Sequence, residues 1–411
     1  MFCRPHLNMS MQPESASVPH TNAEGFGVAG RADNNLDKLQ VVHVAQPLFG
    51  PEEKIAFSQV LDDGWVTMGS RVRAFELAFA ERHGVTDAVA VSSCTAGLHL
   101  TLAALGIGPG DEVLVPSLTF VATANSVLYA GASPVFVDIS SMEFPLICLE
   151  DAAVKCSSRT KAVIVVLYAG CVEQRRAWRE FASQRGLFLI ADAAHAAGLK
   201  DAASFGDASV FSFYGNKNMT TAEGGMVVSN YPEFLGRCRQ MRSHGMTSGT
   251  FERHQSGAPR YDVTMLGYNY RMDELRGALG LIQLGRLDAW NERRRVLTAH
   301  YREALAANCP TILVPDLHGS NSAHHIMPIL LPADTDRDQV IASLRADNIQ
   351  TSIHYPPIHK FSFYKTLMPQ LDLRRTEEFA RRELTLPLHP AMHDRDIERV
   401  VRSLAVALAR S

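Results

Sequence analysis

The chain has 411 residues, of which 46% are hydrophobic and 20% are charged, and its formal net charge is -3. This length allows a large core, exceeds one ordinary domain and predicts two. The near-neutral charge excludes the positive field typical of proteins that bind nucleic acids or anionic membranes. No apolar run approaches the roughly 18 residues that span a bilayer. Seven scattered cysteines without metal-site spacing indicate reduced thiols and a cytoplasmic protein.

The N-terminal segment, residues 1–40, differs in composition from the rest of the chain. It is polar, rich in Gly, Ser and Asn, and has no hydrophobic periodicity. Such a segment cannot bury enough apolar surface to offset the entropy of ordering. We therefore predict a disordered tail, followed from residue 41 by globular structure.

Through the middle of the chain, short runs rich in β-branched residues alternate with helical patterns. The predicted strands are at 88–93, 112–116, 134–138, 162–168, 187–192, 209–213 and 225–229. Helical patterns lie between several of them, at 96–105, 120–131 and 173–186. Strand, helix and strand at this spacing predict a largely parallel sheet with both faces covered.

The C-terminal part has a different pattern, which begins with a long amphipathic stretch from Met272 to about Ala307. Predicted strands and helices then follow at 324–332, 336–348, 350–356 and 396–408. This pattern predicts a smaller α/β domain with its own core. The predicted boundaries give a large domain at 41–285 and a small domain at 286–411.

Several polar residues lie where predicted strands end, which is where binding sites form in such sheets. The segment 92–97 (SSCTAG) opens a helix, and its free N–H groups suit a phosphate. The alternative is an ordinary helix cap by Ser93 or Thr95. Asp192, at the end of an apolar strand, could cap a helix or hold a cation, and His195 could simply belong to the core.

The combination is more specific than any of its parts. It comprises a phosphate site at 93–96, an aromatic residue at Phe120, the acid Asp192 and the lysine Lys217 between two apolar runs. Pyridoxal phosphate needs a lysine for its Schiff base, a carboxylate at its pyridine nitrogen, a stacked ring and an anion site. A lysine buried beside the cationic ring would have a lowered pKa, which gives Lys217 a use that a surface lysine lacks.

Most of the chain, from about Val42 to Leu404, resembles the DegT/DnrJ/EryC1/StrS family of sugar aminotransferases. The matching stretches occur in family order, at 61–80, 92–139, 191–198, 212–228, 266–275, 354–359 and 384–392. The resemblance implies an α/β protein of the pyridoxal-phosphate-dependent transferase fold type I. Ala191 and Cys94 depart from commoner family residues, and the short segment 197–209 departs in length; this leaves the pocket wall and the substrate open.

The resemblance also implies roles for individual residues. Lys217 would be the Schiff-base lysine and the acid/base that moves the proton, Asp192 would pair with the pyridine nitrogen, and Phe120 would stack on the ring, with His195 beside it. The residues implied for the phosphate are the N–H groups of Thr95 and Ala96, the hydroxyl of Ser212, and Asn269 from a neighbouring subunit. The positions that match the sugar site are Trp65, Thr67, Asn125, His354 and Tyr355.

The implied activity is transfer of an amino group from an amino acid, L-glutamate, to a keto-sugar linked to a nucleotide. The cofactor would alternate between pyridoxal and pyridoxamine phosphate, and the active unit would be a homodimer with shared sites. Two alternatives stay open within enzymes: transamination of a free keto-cyclitol, and aminodehydration of the aminoshikimate type. A non-catalytic regulator that senses the cofactor or a sugar is a further alternative, which the intact Lys217 and Asp192 oppose.

Overall fold

The computed structural model describes residues 40–257, 259–317, 319 and 321–410, so the predicted disordered tail lies outside the described residues apart from residue 40. The strands are β1 (Asp87–Val91), β2 (Glu112–Pro116), β3 (Ser133–Val137), β4 (Thr160–Val166), β5 (Phe188–Asp192), β6 (Ala208–Ser212), β7 (Gly225–Ser229), β8 (Met327–Leu330) and β9 (Glu383–Leu386).

The first eight helices are α1 (Pro51–Asp63), α2 (Ser70–His83), α3 (Cys94–Ala104), α4 (Ala122–Tyr129), α5 (Leu149–Lys155), α6 (Arg175–Arg185), α7 (Lys200–Ala203) and α8 (Pro232–Met241). The later ones are α9 (Thr250–Ser256), α10 (Glu274–Asn308), α11 (Arg337–Ala346), α12 (Ser362–Leu367), α13 (Arg374–Arg382) and α14 (Asp394–Leu408). Short 3-10 turns lie at Tyr168–Gly170 and Ile358–Lys360. In the described parts of the chain, none of the helices combines the length and the apolar composition that a membrane span requires.

The large sheet has seven strands in the order β1-β7-β6-β5-β4-β2-β3. Only β7 runs antiparallel to its neighbours, and the other adjacent pairs are parallel. The register pairs Val166 with Asp192 and Asp192 with Val210, so the carboxyl ends of β4, β5 and β6 lie side by side. This edge is where a ligand site is expected in an open α/β sheet.

Both faces of this sheet are buried, as its near-continuous apolar strands require. Val163 and Val165 of β4 face a core with Phe75 of α2 and Trp178 of α6. The alternate residue of the same strand, Ile164, faces the apolar cluster on the other side of the sheet, which α4 shares. The predicted sheet covered on both faces is therefore confirmed.

The C-terminal part has its own core, built on the antiparallel pair β8 and β9. Helix α10 contributes to both cores: Leu287 lies in the core of the large sheet, and Leu297 and Tyr301 lie in the second core. The predicted long helix is confirmed. The proposed boundary between 285 and 286 falls inside this helix and stays a prediction.

One predicted strand, at 350–356, is wrong. The structure has only an isolated bridge between Ser352 and Thr385 in this segment. The next residues cannot continue a ladder, because Pro356 and Pro357 lack an N–H and the N–H of His354 donates to a side chain, that of Glu383.

Candidate active site

A cavity of about 640 Å³ opens at the carboxyl edge of the large sheet. It forms here because the loops after several parallel strands diverge above the same edge. The predicted site residues that line it are Thr95, Phe120, Asp192, His195, Ser212, Lys217, His354 and Tyr355. The cavity thus gathers residues that are far apart in the chain.

Lys217 lies in the turn between β6 and β7, where its N–H donates to the carbonyl oxygen of Tyr214 at 3.0 Å. Burial lowers the pKa of its amine to about 8, and the neighbouring Cys94 and Asp192 oppose that shift. A lysine in this state is a better nucleophile and base at neutral pH than a solvated one.

The next residue, Asn218, fastens this turn to the rest of the protein and is 4% exposed. Its Nδ2 donates to Asn291 Oδ1 of α10 and to the carbonyl of Ala323, each at 2.8 Å. Its Oδ1 accepts from His325 Nδ1 at 2.8 Å. Three partners on two other segments therefore hold the lysine turn in place.

Asp192 is buried at the end of β5, and both of its oxygens accept hydrogen bonds. Thr123 Oγ1 of α4 donates to Oδ2 at 2.8 Å, and the N–H of Ala194 donates to Oδ1 at 3.2 Å. Burial raises the pKa of Asp192, while these hydrogen bonds and the charge of Lys217 oppose the rise. A buried carboxylate of this kind gains most from a cationic partner.

The N-terminus of α3 approaches the sheet edge more closely than side chains would allow. A Cβ on Gly225 would lie 2.7 Å from the backbone nitrogen of Cys94, and one on Gly97 would lie 2.6 Å from Val210 Cγ1. These glycines therefore allow the first turn of the helix to reach the cavity. The first N–H groups of a helix have no partner within it and favour an anion.

The helix cap predicted for segment 92–97 is present, and the phosphate site predicted there stays a prediction. Ser93 caps α3, since its Oγ accepts from the N–H of Ala96 at 3.1 Å. Thr95 lines the cavity, whereas Ala96 is buried. The phosphate role of the Ala96 N–H stays a prediction, because Ser93 already accepts its hydrogen.

His195 follows β5 in a turn rather than a helix, and both ring nitrogens are engaged. The N–H of Ala169 donates to Nδ1 at 3.2 Å, and Nε2 lies 2.9 Å from the hydroxyl of Tyr355. Burial, followed by the charge of Lys217, lowers the pKa of His195 well below its usual value. Because Nδ1 accepts, the neutral ring carries its proton on Nε2 and donates it to Tyr355.

The remaining predicted residues lie at the rim or elsewhere. Phe120 is 59% exposed at the rim of the cavity, with its ring 6.2 Å from that of Tyr355. Trp65 packs against Phe251 and His254. The predicted positions that do not line the cavity within this chain are Trp65, Thr67, Ala96, Asn125 and Asn269.

Asn125 and Asn269 have other surroundings in the single chain. Asn125 Oδ1 accepts from the hydroxyl of Tyr364 at 2.6 Å. Asn269 is exposed, and its backbone forms a bridge with Ser243. The roles assigned to the site residues by resemblance stay predictions.

Sequence reasoning missed residues that support the site from behind. Thr123 holds Asp192, Asn218 holds the lysine turn, and Tyr168 donates to the carbonyl of His354 at 2.5 Å. The adjacency of Asn218 to Lys217 was an available signal. Thr123 and Tyr168 act on partners distant in sequence, so no local pattern marks them.

Comparison with known proteins gives a family match over most of the chain. The model of the DegT/DnrJ/EryC1/StrS aminotransferase family matches residues 48–405. Helicobacter pylori PseC, an aminotransferase involved in the biosynthesis of pseudoaminic acid, is 29% identical with a TM-score of 0.82. That match covers 90% of this chain and 100% of PseC.

Two further solved structures are similar. DesI, determined in the presence of its TDP-sugar product, is 32% identical with a TM-score of 0.80, and the match covers 91% of this chain and 94% of DesI. Bacillus subtilis ntda with the bound cofactor PMP is 28% identical with a TM-score of 0.79, and the match covers 89% of this chain and 86% of ntda. The predicted fold class and the predicted aminotransferase family are both confirmed. The chain belongs to the DegT/DnrJ/EryC1/StrS aminotransferase family.

Proposed function

We propose that this protein is a pyridoxal-phosphate-dependent aminotransferase that moves an amino group from an amino acid, L-glutamate, to a keto-sugar linked to a nucleotide. The observation that carries the proposal is one cavity containing a lysine of lowered pKa, Lys217, a buried carboxylate, Asp192, and the N-terminus of α3. This is the set of groups that the cofactor requires.

The residues of the cavity fit pyridoxal phosphate. Burial raises the pKa of Asp192, so a protonated pyridine nitrogen would stabilise the charged form of its carboxylate. The first turn of α3 and the hydroxyl of Ser212 would bind the phosphate. Phe120, at the rim, would cover one face of the ring. The match to ntda, whose structure contains PMP, supports the same assignment.

When bound, the cofactor supplies an electron-withdrawing ring that stabilises negative charge on the substrate carbon. Lys217 supplies the base, because a pKa of about 8 leaves part of its Nζ unprotonated at neutral pH. Asn218 keeps the lysine turn in position, and Thr123 keeps Asp192 in position. His195 donates its Nε2 proton to Tyr355, which orients that hydroxyl inside the cavity.

The keto-sugar substrate is supported by the family and by the match to DesI, whose structure was determined with a TDP-sugar product. The test is a screen of nucleotide-linked keto-sugars and free keto-cyclitols with L-glutamate, read by mass. The proposal expects an aminated nucleotide sugar together with 2-oxoglutarate. Amination of a free cyclitol alone would contradict the substrate assignment, and no amination of either class would contradict the activity.

The covalent role of Lys217 has a separate test. Borohydride reduction of the cofactor-loaded protein, followed by peptide mapping, should label Lys217. Lys217→Ala should abolish the label, whereas Lys200→Ala, at an exposed lysine outside the cavity, should not. A label on Lys200 or another lysine would contradict the assignment.

We further propose that the active unit is a homodimer in the cytoplasm and that Asn269 reaches the phosphate site of the partner. Asn269 is exposed, and three large apolar residues of the same chain segment, Tyr261, Val263 and Leu266, are exposed as well, the last to 79%. Exposed apolar residues of this size favour burial against another protein surface. The unpaired cysteines of the described residues support a reducing compartment.

Mixing two inactive variants tests the shared site. Lys217→Ala and Asn269→Asp each damage a site, and in a shared-site heterodimer both changes fall in the same site, leaving the other intact. Random exchange should then restore about a quarter of the wild-type activity. Full activity of Asn269→Asp alone, or no recovery despite confirmed subunit exchange, would refute the shared site.

A further inference from the structure

Strand β9 presents two polar side chains on the face opposite the second core. Leu384 and Leu386 lie in that core. Because side chains alternate along a strand, Glu383 and Thr385 point to the other side. Backbone hydrogen bonds in both directions between Ser352 and Thr385 place His354, two residues after Ser352, beside these two side chains.

Glu383, Thr385 and His354 form a continuous chain of hydrogen bonds. Glu383 Oε2 accepts from the N–H of His354 at 2.8 Å, and Glu383 Oε1 lies 2.5 Å from Thr385 Oγ1. Thr385 Oγ1 in turn lies 2.8 Å from His354 Nδ1. His354 lines the active-site cavity, so the ring nitrogen left for a ligand is Nε2.

Burial favours the protonated form of Glu383 at neutral pH. The side chain is fully buried, and burial raises its pKa to about 8. The cation that opposes this shift is Arg337, at the start of α11, which donates to the backbone carbonyl of Glu383 at 3.0 Å. The phenols that act on this group, Tyr168 and Tyr355, have raised pKa values and are neutral.

His354 itself stays neutral over this range. Burial and the charge of Lys217 lower its pKa to about 3. A neutral imidazole carries one proton, and the hydrogen bond at one nitrogen decides which nitrogen holds it.

The direction of the hydrogen bonds then follows from the proton on Glu383. With Glu383 protonated, its O–H donates to Thr385, the Thr385 hydroxyl donates to His354 Nδ1, and the ring proton lies on Nε2. When Glu383 loses that proton to solvent, the Thr385 hydroxyl turns to donate to the carboxylate. His354 then donates from Nδ1, so its own proton has moved from Nε2 to Nδ1 by exchange with water, and the ring stays neutral.

We propose that Glu383 and Thr385 are positioning residues that set the tautomer of His354, so that His354 offers an N–H donor to the substrate at neutral pH and a lone pair at alkaline pH. The donor form suits an oxygen acceptor, either the carboxylate of the amino acid or an oxygen of the keto-sugar. The role in substrate binding rests on the proposed function, whereas the control of the tautomer does not.

The hydrogen-bonded set of Glu383, Thr385 and His354 is called the relay below. The variant Glu383→Gln distinguishes a role in this relay from a purely structural role of the side chain. A glutamine can accept from the N–H of His354 and donate to Thr385, as the protonated acid does, but it cannot ionise. Thr385→Val removes the hydroxyl that links the two groups with little change in volume. Thr385→Ser is the matched control, because it keeps the hydroxyl.

The experiment is ¹⁵N NMR of histidine-labelled protein from pH 6 to 9.5, with His354 assigned by comparison with His354→Gln. The wild type and Thr385→Ser should change from the Nε2–H to the Nδ1–H tautomer near the pKa of Glu383. Glu383→Gln should keep the Nε2–H form throughout, and Thr385→Val should lose the pH-dependent change. A wild-type tautomer that does not change, or Glu383→Gln changing as the wild type does, would overturn the relay.

A kinetic measurement links the relay to the substrate. The KM of the oxygen-bearing substrate should rise several-fold above the transition in the wild type and in Thr385→Ser, and should stay flat in Glu383→Gln. A KM that rises equally in Glu383→Gln would overturn the role in binding. An intact NMR transition in a protein that aminates no keto-sugar would contradict the proposed function and leave the relay standing.

Discussion

Replacing Glu383 by glutamine should make the protein progressively more heat-resistant than the wild type as the pH rises from 5 to 8. The unfolded carboxyl titrates near 4.5, whereas burial raises the folded pKa to about 8. Between these values the unfolded state releases a proton that the folded state keeps, so the stability of the wild type falls as the pH rises. Glutamine has no proton to release and escapes this loss.

The magnitude follows from the two pKa values. Each unit of difference between the folded and unfolded pKa corresponds to about 1.36 kcal/mol. Between pH 5 and pH 8 the unfolding free energy of Glu383→Gln should therefore rise by roughly 3 to 4 kcal/mol relative to wild type. Unfolding entropy of about 2.1 cal/mol/K per residue gives about 0.8 kcal/mol per kelvin for a chain of this length. The Tm of Glu383→Gln relative to wild type should therefore rise by about 4 to 5 °C from pH 5 to pH 8.

Calorimetric Tm values for wild type and variant at pH 5, 6, 7 and 8 provide the measurement. Asp138→Asn is the control, because hydrogen bonds from Thr376 and neighbouring N–H groups outweigh burial and lower the pKa of Asp138. That group is ionised in both states above pH 5, so its Tm difference from wild type should stay constant. A constant difference for Glu383→Gln as well would refute the raised pKa and its cause.

The remaining predictions concern the cavity and its support. Asp192→Asn should cost about 2 to 4 kcal/mol in the transition state, or about two to three decades in turnover, and a rate within threefold of wild type would contradict its role. Asn218→Ala leaves buried partners unpaired and should lower the unfolding free energy by about 1 to 3 kcal/mol, seen in denaturant titrations. Gly97→Ala should destabilise by about 1 to 3 kcal/mol through overpacking, whereas Gly236→Ala, which meets nothing within 4 Å, should be neutral or stabilising. The rate at which added pyridoxal phosphate couples to Lys217 should rise with pH up to about 8 and then level off, and a flat profile would contradict the lowered pKa.

The sequence predicts best those features that depend on local pattern or on a distinctive chemical type. The strands β2 and β7 occur at the predicted residues, and Lys217 and Asp192 lie together in the cavity. Both stood out because an ionisable group bordered an apolar strand. The sheet edge that gathers them follows from the parallel topology.

Other features depend on contacts that no local pattern contains. In the sequence, Glu383 follows the charged end of α13 and has the pattern of a solvated residue. It is completely buried because β9 packs against residues 352–354, which are distant in the chain. The segment 350–356 has the sequence pattern of a strand, but it forms only the single bridge between Ser352 and Thr385 of β9. Asn269 does not line the cavity of its own chain, since the phosphate that the resemblance assigns to it would lie in another subunit.

Helix α10 has a consequence for how the chain is made. Gly277 and Gly280 of α10 lie against Val72 and Phe75 of α2, so close that a Cβ would meet them at 2.8 and 2.6 Å. Helix α2 ends at His83 and α10 begins at Glu274, about 190 residues later. At about 5 to 20 residues per second, the ribosome needs roughly 10 to 40 s to synthesise the chain between α2 and α10. During that interval the side of α2 that α10 contacts is open to water and to other nascent chains, so we expect synthesis in the cell to depend on a chaperone that shields it.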